Sequence, residues 1–360
     1  MSKELKVEIK KLLRSLGLLV LFLIVVFGVN LLIDPANNLN RKYAGEAAKI
    51  MANGGNVTNL QNMDDRQLIR EYAELRTQPV DVLVLGSSRS MQVTKELTGV
   101  DNTFCAGVTG ADLRDTISAY VLFREKGLLP KTVILCAEYW FLSQGNLESR
   151  AMTEGYETFC AERGHIPFRI TSRTKAAIKE LFSFAYFQSS IDYLLDQRAA
   201  LKLESVSDAD NIYATRRADG SYSYEESYRN RPVEDVDGDA YNAVMFGNTT
   251  AYYFDGVHAE MRRQLEDFIS MMQEDGVEVV VQLAPYHPLY YAHMETSPTY
   301  TEILATEGYF YTLELTHGVQ CYGGYNPADF GMTNVDFYDA QHPSAEGIYS
   351  YFGVKRQQNA

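Results

Sequence analysis

Apolar residues are distributed along this chain in two regimes. Residues 16–33 form an unbroken run of 18 positions without a charge, about 27 Å long as a helix and close to the apolar thickness of a bilayer. Beyond it, apolar residues come in short bursts separated by stretches of helical period. Val82-Leu83-Val84-Leu85 is a continuous run of the kind that forms a strand buried on both faces of a parallel sheet. Residues 103–108 are a second run, leading through Gly107 and Gly110 into residues 112–126, where Leu113, Ile117, Tyr120, Val121 and Phe123 recur at helical spacing. Residues 133–136 are a third. The alternation resumes with a helical stretch at 261–273, stopped by Gly276, then a strand at 277–283, a helix at 300–313, a short strand at 318–322 and a terminal helix at 344–351. Five strands alternating with helices predict an α/β fold, a three-layer α/β/α, doubly wound parallel five-stranded sheet.

Two segments stand outside that alternation. Residues 34–80 are polar with helical periodicity, as at Leu68, Tyr72 and Leu75, and read as a stalk or packing helices before a domain spanning 81–356. Residues 141–255 interrupt the domain with one long helix expected at 175–194 and a tyrosine-rich stretch at 205–248 punctuated by Ala218-Asp219-Gly220-Ser221. So long an excursion within a compact domain reads as an insertion, either a lid over the site or a surface decoration.

The charge pattern orients the apolar run. Lys3, Lys6, Lys10, Lys11 and Arg14 against Glu4 and Glu8 make residues 1–15 basic, which favours a cytoplasmic tail, a membrane anchor at 16–33 and an extracytoplasmic remainder. A cleaved signal peptide is the alternative, but Asp34-Pro35-Ala36-Asn37-Asn38 offers no convincing small-x-small cleavage site. The chain carries a net charge of −14, and the remainder beyond the basic tail is more acidic still. That argues against nucleic acid and anionic lipid surfaces as partners. Four cysteines are too few for a disulfide scaffold and include no CxxC pair. Cys105 and Cys136 read as buried thiols, while Cys160 and Cys321, in more polar surroundings, are the pair that an oxidising compartment would join.

Candidate chemistry lies in two motifs far apart in sequence. Gly86-Ser87-Ser88-Arg89 follows the first strand, and Asp339-Ala340-Gln341-His342 precedes the terminal helix. In a doubly wound sheet both positions fall on the edge where strands end and helices begin, where ligands bind. A serine on a strand-to-helix turn exposes its hydroxyl beside a backbone amide, and a histidine near an aspartate supplies the base and its orienting carboxylate. A serine at such a turn equally serves as a helix cap.

The arrangement resembles the SGNH/GDSL hydrolase superfamily, with Gly86-x-Ser88 as nucleophile turn and Asp339-x-x-His342 as the late block. Cys105-Ala106-Gly107-Val108-Thr109-Gly110 is similar to the family's second block. The resemblance implies catalytic Ser88, Asp339 and His342, and an oxyanion hole from the amides of Ser88 and Gly110. It also implies an asparagine after the third strand, where this chain has Cys136-Ala137-Glu138-Tyr139-Trp140; an ionised glutamate only accepts hydrogen bonds. With the anchor, the chain is similar to membrane-anchored SGNH-like proteins of cell-envelope modification. That implies acyl transfer to or from an envelope polysaccharide or polymer, beside a multi-pass membrane O-acyltransferase. The alternative is a non-catalytic member that binds an envelope glycan or recruits such an acyltransferase. No cofactor or metal is implied. Arg89 reads either as a substrate contact or as a solvated arginine of a first helical turn, and His287, in Ala284-Pro285-Tyr286-His287-Pro288 at the fourth strand's end, either as a substrate contact or as part of a rigid turn; the insertion's tyrosines with Trp140 read either as a sugar-stacking surface or as ordinary surface tyrosines.

Overall fold

The computed structural model describes residues 3–34, 41–60, 63–168, 179, 181–195 and 203–356. Parts of the expected stalk (35–40, 61–62) and of the expected long helix (175–178, 180) lie outside them. Two compact units emerge, one from residues 1–44, 61–64 and 171–202, the other from 45–60, 65–170 and 203–360.

In the first unit, helix α1 (Lys3–Ile33) includes a stretch, Val7–Ile33, long and apolar enough to cross a membrane, whose most apolar 18-residue window has mean hydropathy 3.0. Its residues are mostly exposed, Leu12, Leu18, Ile24 and Leu32 among them. The same unit contains the helix Phe184–Leu195. The 171–202 portion of the insertion belongs to this unit, and the rest of it to the other.

The second unit is α/β. Strands β2 (Val82–Leu85), β3 (Thr103–Cys105), β4 (Thr132–Cys136), β8 (Glu278–Leu283) and β9 (Gln320–Gly323) form a parallel sheet ordered β3-β2-β4-β8-β9. The order reverses at β2, which pairs with β3 on one side and β4 on the other. Every residue of β2 and β3 is buried, which is why these runs carry no polar alternation. Helix α5 (Leu113–Glu125) starts where Asp112 accepts the Arg114 amide and Asp115 reciprocates, a capping box.

Residues 41–77 hold more than packing helices. Between the helix Arg41–Ala52 and α3 (Asp65–Leu75) lies β1 (Asn56–Thr58), which pairs antiparallel with β5 (Glu204–Val206) and β6 (Thr215–Arg216) of the insertion. With β7 (Tyr222–Ser223) they make a second sheet, ordered β5-β1-β6-β7. Strands of two or three residues show no period, and β1's partners lie roughly 150 positions away, so residue pattern alone does not reveal them.

The loop after β3 presses on the turn after β2. Val108 donates its amide to the Gly86 carbonyl at 3.1 Å. A Cβ on Gly107 would overlap Ser90 Oγ and lie 3.2 Å from the Ser87 carbonyl. Gly107→Ala is therefore expected to cost about 1–3 kcal/mol by overpacking and to displace the serine turn, read as a lowered melting temperature together with slower serine-probe labelling.

Candidate functional site

Two adjacent serines divide two roles. Ser87 caps the 3-10 turn Ser88–Ser90 by accepting the Arg89 amide at 3.2 Å. That leaves Ser88 free, and its Oγ lies 2.9 Å from His342 Nε2. His342 Nδ1 lies 2.8 Å from Asp339 Oδ2 and 3.0 Å from Oδ1. With Asp339 ionised, Nδ1 carries the ring proton and Nε2 accepts from Ser88, which is the relay a serine nucleophile requires. His342 and Asp339 are each partly exposed, so the relay is reachable from solvent.

The loop carrying Asp339 and His342 is pinned from three sides. The His287 amide donates to the Ala340 carbonyl at 3.1 Å, Arg89 Nε to Gln341 at 2.9 Å and Gln92 Nε2 to Pro343 at 2.7 Å. The helix that follows is shorter than its sequence suggests, Ile348–Tyr351, with Ser344 capping the Gly347 amide ahead of it.

Asp339 collects three further donors that hold it ionised. Its Oδ1 accepts the amides of Gln341 (2.7 Å) and His342 (2.8 Å), and Oδ2 accepts the Tyr228 hydroxyl at 2.7 Å. Burial by itself would raise its pKa, but His342 and these donors hold it well below the usual carboxylate range. Tyr228 comes from the insertion, and its approach to Asp339 leaves no mark in the sequence. Because folded Asp339 has the lower pKa, its stabilisation is complete above the unfolded value of about 3.9 and is lost as the pH falls below it. Tyr228→Phe is expected to shrink that acid-dependent loss and to lower neutral-pH stability by about 1.5–3 kcal/mol. Urea titrations at a series of pH values measure both.

Arg89 is turned inward and has no donor left over. Its five N–H donors go to Gln341 O, Glu138 Oε2, Tyr286 Oη, Ala284 O and Pro285 O, at 2.7 to 3.1 Å, and the side chain is buried. The expected substrate contact is thus replaced by a tie between the β2, β4 and β8 ends and the His342 loop. Glu138, where the resemblance places an asparagine, accepts from Arg89 at 2.8 Å and from Ser87 Oγ at 2.6 Å. Burial pushes the Glu138 carboxyl up, against the pull of Arg89 and Ser87. The Arg89 guanidinium is disfavoured by burial, yet Glu138 keeps its pKa above the ordinary value.

His287 is also buried and is not a surface ligand. Its Nδ1 accepts the Leu289 amide at 3.3 Å, capping the helix Pro288–Thr296, and Nε2 lies 3.2 Å from Asp237 Oδ1. Burial lowers its pKa, against the pull of Asp237. Trp140 is buried, with Nε1 donating to the Ala111 carbonyl at 2.9 Å, so it offers no stacking face. Of the tyrosines, Tyr224, Tyr228 and Tyr338 pack on one another, and Tyr222, Tyr224, Tyr338 and Tyr349 line a cavity of ≈ 400 Å³. Cys160 and Cys321 are free thiols buried in separate elements, and burial raises the pKa of each.

Among the described residues, the amides of Ser88 and Gly110 have no protein acceptor. Gly110, at φ 61°, is the third residue of a turn closed by the Ala111 amide on the Val108 carbonyl at 3.2 Å. Thr109 has no positive φ, so the turn is type II. Arg66 Nη1 donates to the Thr109 carbonyl at 3.2 Å and Nη2 to Gly110 at 3.3 Å, while Nε and Nη2 grip Asp115 at 2.9 and 2.7 Å. In a trans peptide the carbonyl of Thr109 and the N–H of Gly110 point oppositely. Arg66 therefore fixes which way the Gly110 N–H faces. Among the described residues no cluster of three or more His, Cys, Asp or Glu is arranged to hold a metal ion.

No protein-family model matches this chain, and a search of curated proteins returns no match.

Proposed function

We propose that the chain is a membrane-anchored, extracytoplasmic SGNH-like serine acyltransferase or esterase, with a three-layer doubly wound domain, acting on an acylated cell-envelope glycan or polymer. The observation that carries this reading is the Ser88–His342–Asp339 relay, with 2.9 and 2.8 Å links. Ser88 Oγ attacks the acyl carbonyl as His342 Nε2 takes its proton, and Asp339 stabilises the imidazolium. The amides of Ser88 and Gly110 receive the oxyanion, with Arg66 as the positioning residue for the second. Collapse expels the alcohol, which takes the proton from His342. Water or an acceptor hydroxyl then releases the acyl group by the reverse sequence, regenerating Ser88. A multi-pass membrane O-acyltransferase is the partner this topology suits.

The full-length chain in detergent is expected to be labelled by a fluorophosphonate probe, and Ser88→Ala is not. The rival reading, a non-catalytic glycan-binding or recruiting protein, draws on Glu138 standing where an oxyanion donor is expected. Absence of labelling in the wild type would decide for it.

A further inference from the structure

Asn30 is the most deeply buried polar side chain within the apolar helix α1, at 0% exposure. Its Nδ2 donates to the carbonyls of Leu181 (3.0 Å) and Ser183 (3.1 Å), and its Oδ1 accepts the Ser190 hydroxyl at 3.0 Å. An amide in hydrocarbon is costly unless it is satisfied, and here one short segment satisfies it. The same segment makes two aromatic contacts along α1, Phe182 with Phe27 at 4.9 Å and Phe184 with Phe22 at 6.3 Å between centroids. Tyr186 closes the end with a 2.8 Å bond to Asp34.

Depth follows from these pairs. Phe22 lies eleven residues before Ile33, the end of α1, hence about 17 Å along the helix axis. A span with a core of roughly 30 Å then places the Phe184 ring within the hydrocarbon, while the preceding Ser183 carbonyl, bonded to Asn30 about 5 Å from the end of α1, stays near its edge. The helix Phe184–Leu195, here α7, has the sequence for it. Phe184, Phe187, Ile191, Leu194 and Leu195 share one arc, Gln188 borders it, and Asp192 and Ser189 lie on the flank beyond. Phe182, Phe184, Leu194 and Leu195 are all more than half exposed within this unit. An apolar arc continuous with a membrane span, bordered by a polar flank, is the pattern of an interfacial helix.

We propose that residues 181–195 are a membrane-contacting element, locked to α1 by Asn30, whose apolar arc is covered by lipid acyl chains. The insertion thereby adds a second hold on the bilayer beside the anchor. The inference rests on the reading of α1 as a membrane span.

The test uses the full chain in phosphatidylcholine vesicles with and without brominated lipid. Trp140 is the single native tryptophan, and wild-type quenching of it sets the baseline. Leu195→Trp is expected to be quenched several-fold more than Ser189→Trp, which lies about 120° away around the helix, and adding Asn30→Ala to Leu195→Trp is expected to reduce that quenching. Quenching of Leu195→Trp no greater than the baseline, with the protein resistant to carbonate extraction, overturns this proposal alone. Protection of Leu195→Trp from both brominated lipid and aqueous acrylamide overturns it in favour of a protein cover, such as a second copy. Release of the wild type by carbonate overturns the membrane-span reading itself. Both substituted positions are exposed, so the Trp variants test contact without disturbing the core.

Discussion

Ser88→Ala should lower turnover of a simple ester such as p-nitrophenyl acetate by about 10⁴- to 10⁶-fold, because the nucleophile and its base act as one unit. His342→Ala should lose nearly as much. The double variant should lose little more than either single one, since the 2.9 Å Ser88–His342 link is already broken in both. Asp339→Asn should fall between these and the wild type: it leaves a residue able to hold the ring but removes the negative charge that stabilises the imidazolium. Single-turnover kinetics on the detergent-solubilised full chain measure the series. Effects that add across Ser88 and His342 would mean that the two residues are not a relay.

Arg89→Ala should destabilise the α/β unit by about 3–5 kcal/mol, because it leaves Glu138 as a buried carboxylate without its cation. The same change strips donors from the carbonyls of Gln341, Ala284 and Pro285. Loss of stability and loss of ester turnover should therefore appear together, as the Gln341 tie no longer holds the His342 loop. Glu138→Asn, which restores the residue expected after the third strand, should destabilise rather than activate, since it strands the Arg89 guanidinium instead. Replacing both partners, Arg89→Ala with Glu138→Asn, should cost less than the sum of the single changes. Denaturant unfolding of the four proteins decides this, and additive costs would mean the pair is not coupled.

The departure at Glu138 shows why local residue identity is an incomplete guide here. Read along the chain, Glu138 is a missing donor and Arg89 a charged residue near the nucleophile. In space they complete one another, and Ser87 joins them, so that Gly86-Ser87-Ser88-Arg89 supplies a cap, the hydroxyl that meets His342 and a buried cation in successive positions. The roles of Tyr228 and Arg66 were less legible still. Arg66 lies in a segment whose pattern says only polar and helical and Tyr228 in one that says only tyrosine-rich with turns, and each acts on a loop distant in sequence, Tyr228 on Asp339 and Arg66 on the Thr109–Gly110 peptide. Nothing in residue spacing encodes such contacts, because they depend on how elements separated in sequence come together.

What the sequence determined by itself was the apolar helix, the five parallel strands and the placement of the two motifs at strand ends. Each of these follows from short-range burial patterns, which repeat within a few residues. Tertiary structure alone decided that β1 joins the insertion in a second sheet, that residues 171–202 group with α1, and that Arg89 and His287 are buried. It also decided which serine caps the turn and which meets His342. Burial of a charged or polar side chain is tolerable only when partners are present, and those partners are assembled by the fold rather than by neighbours in the chain.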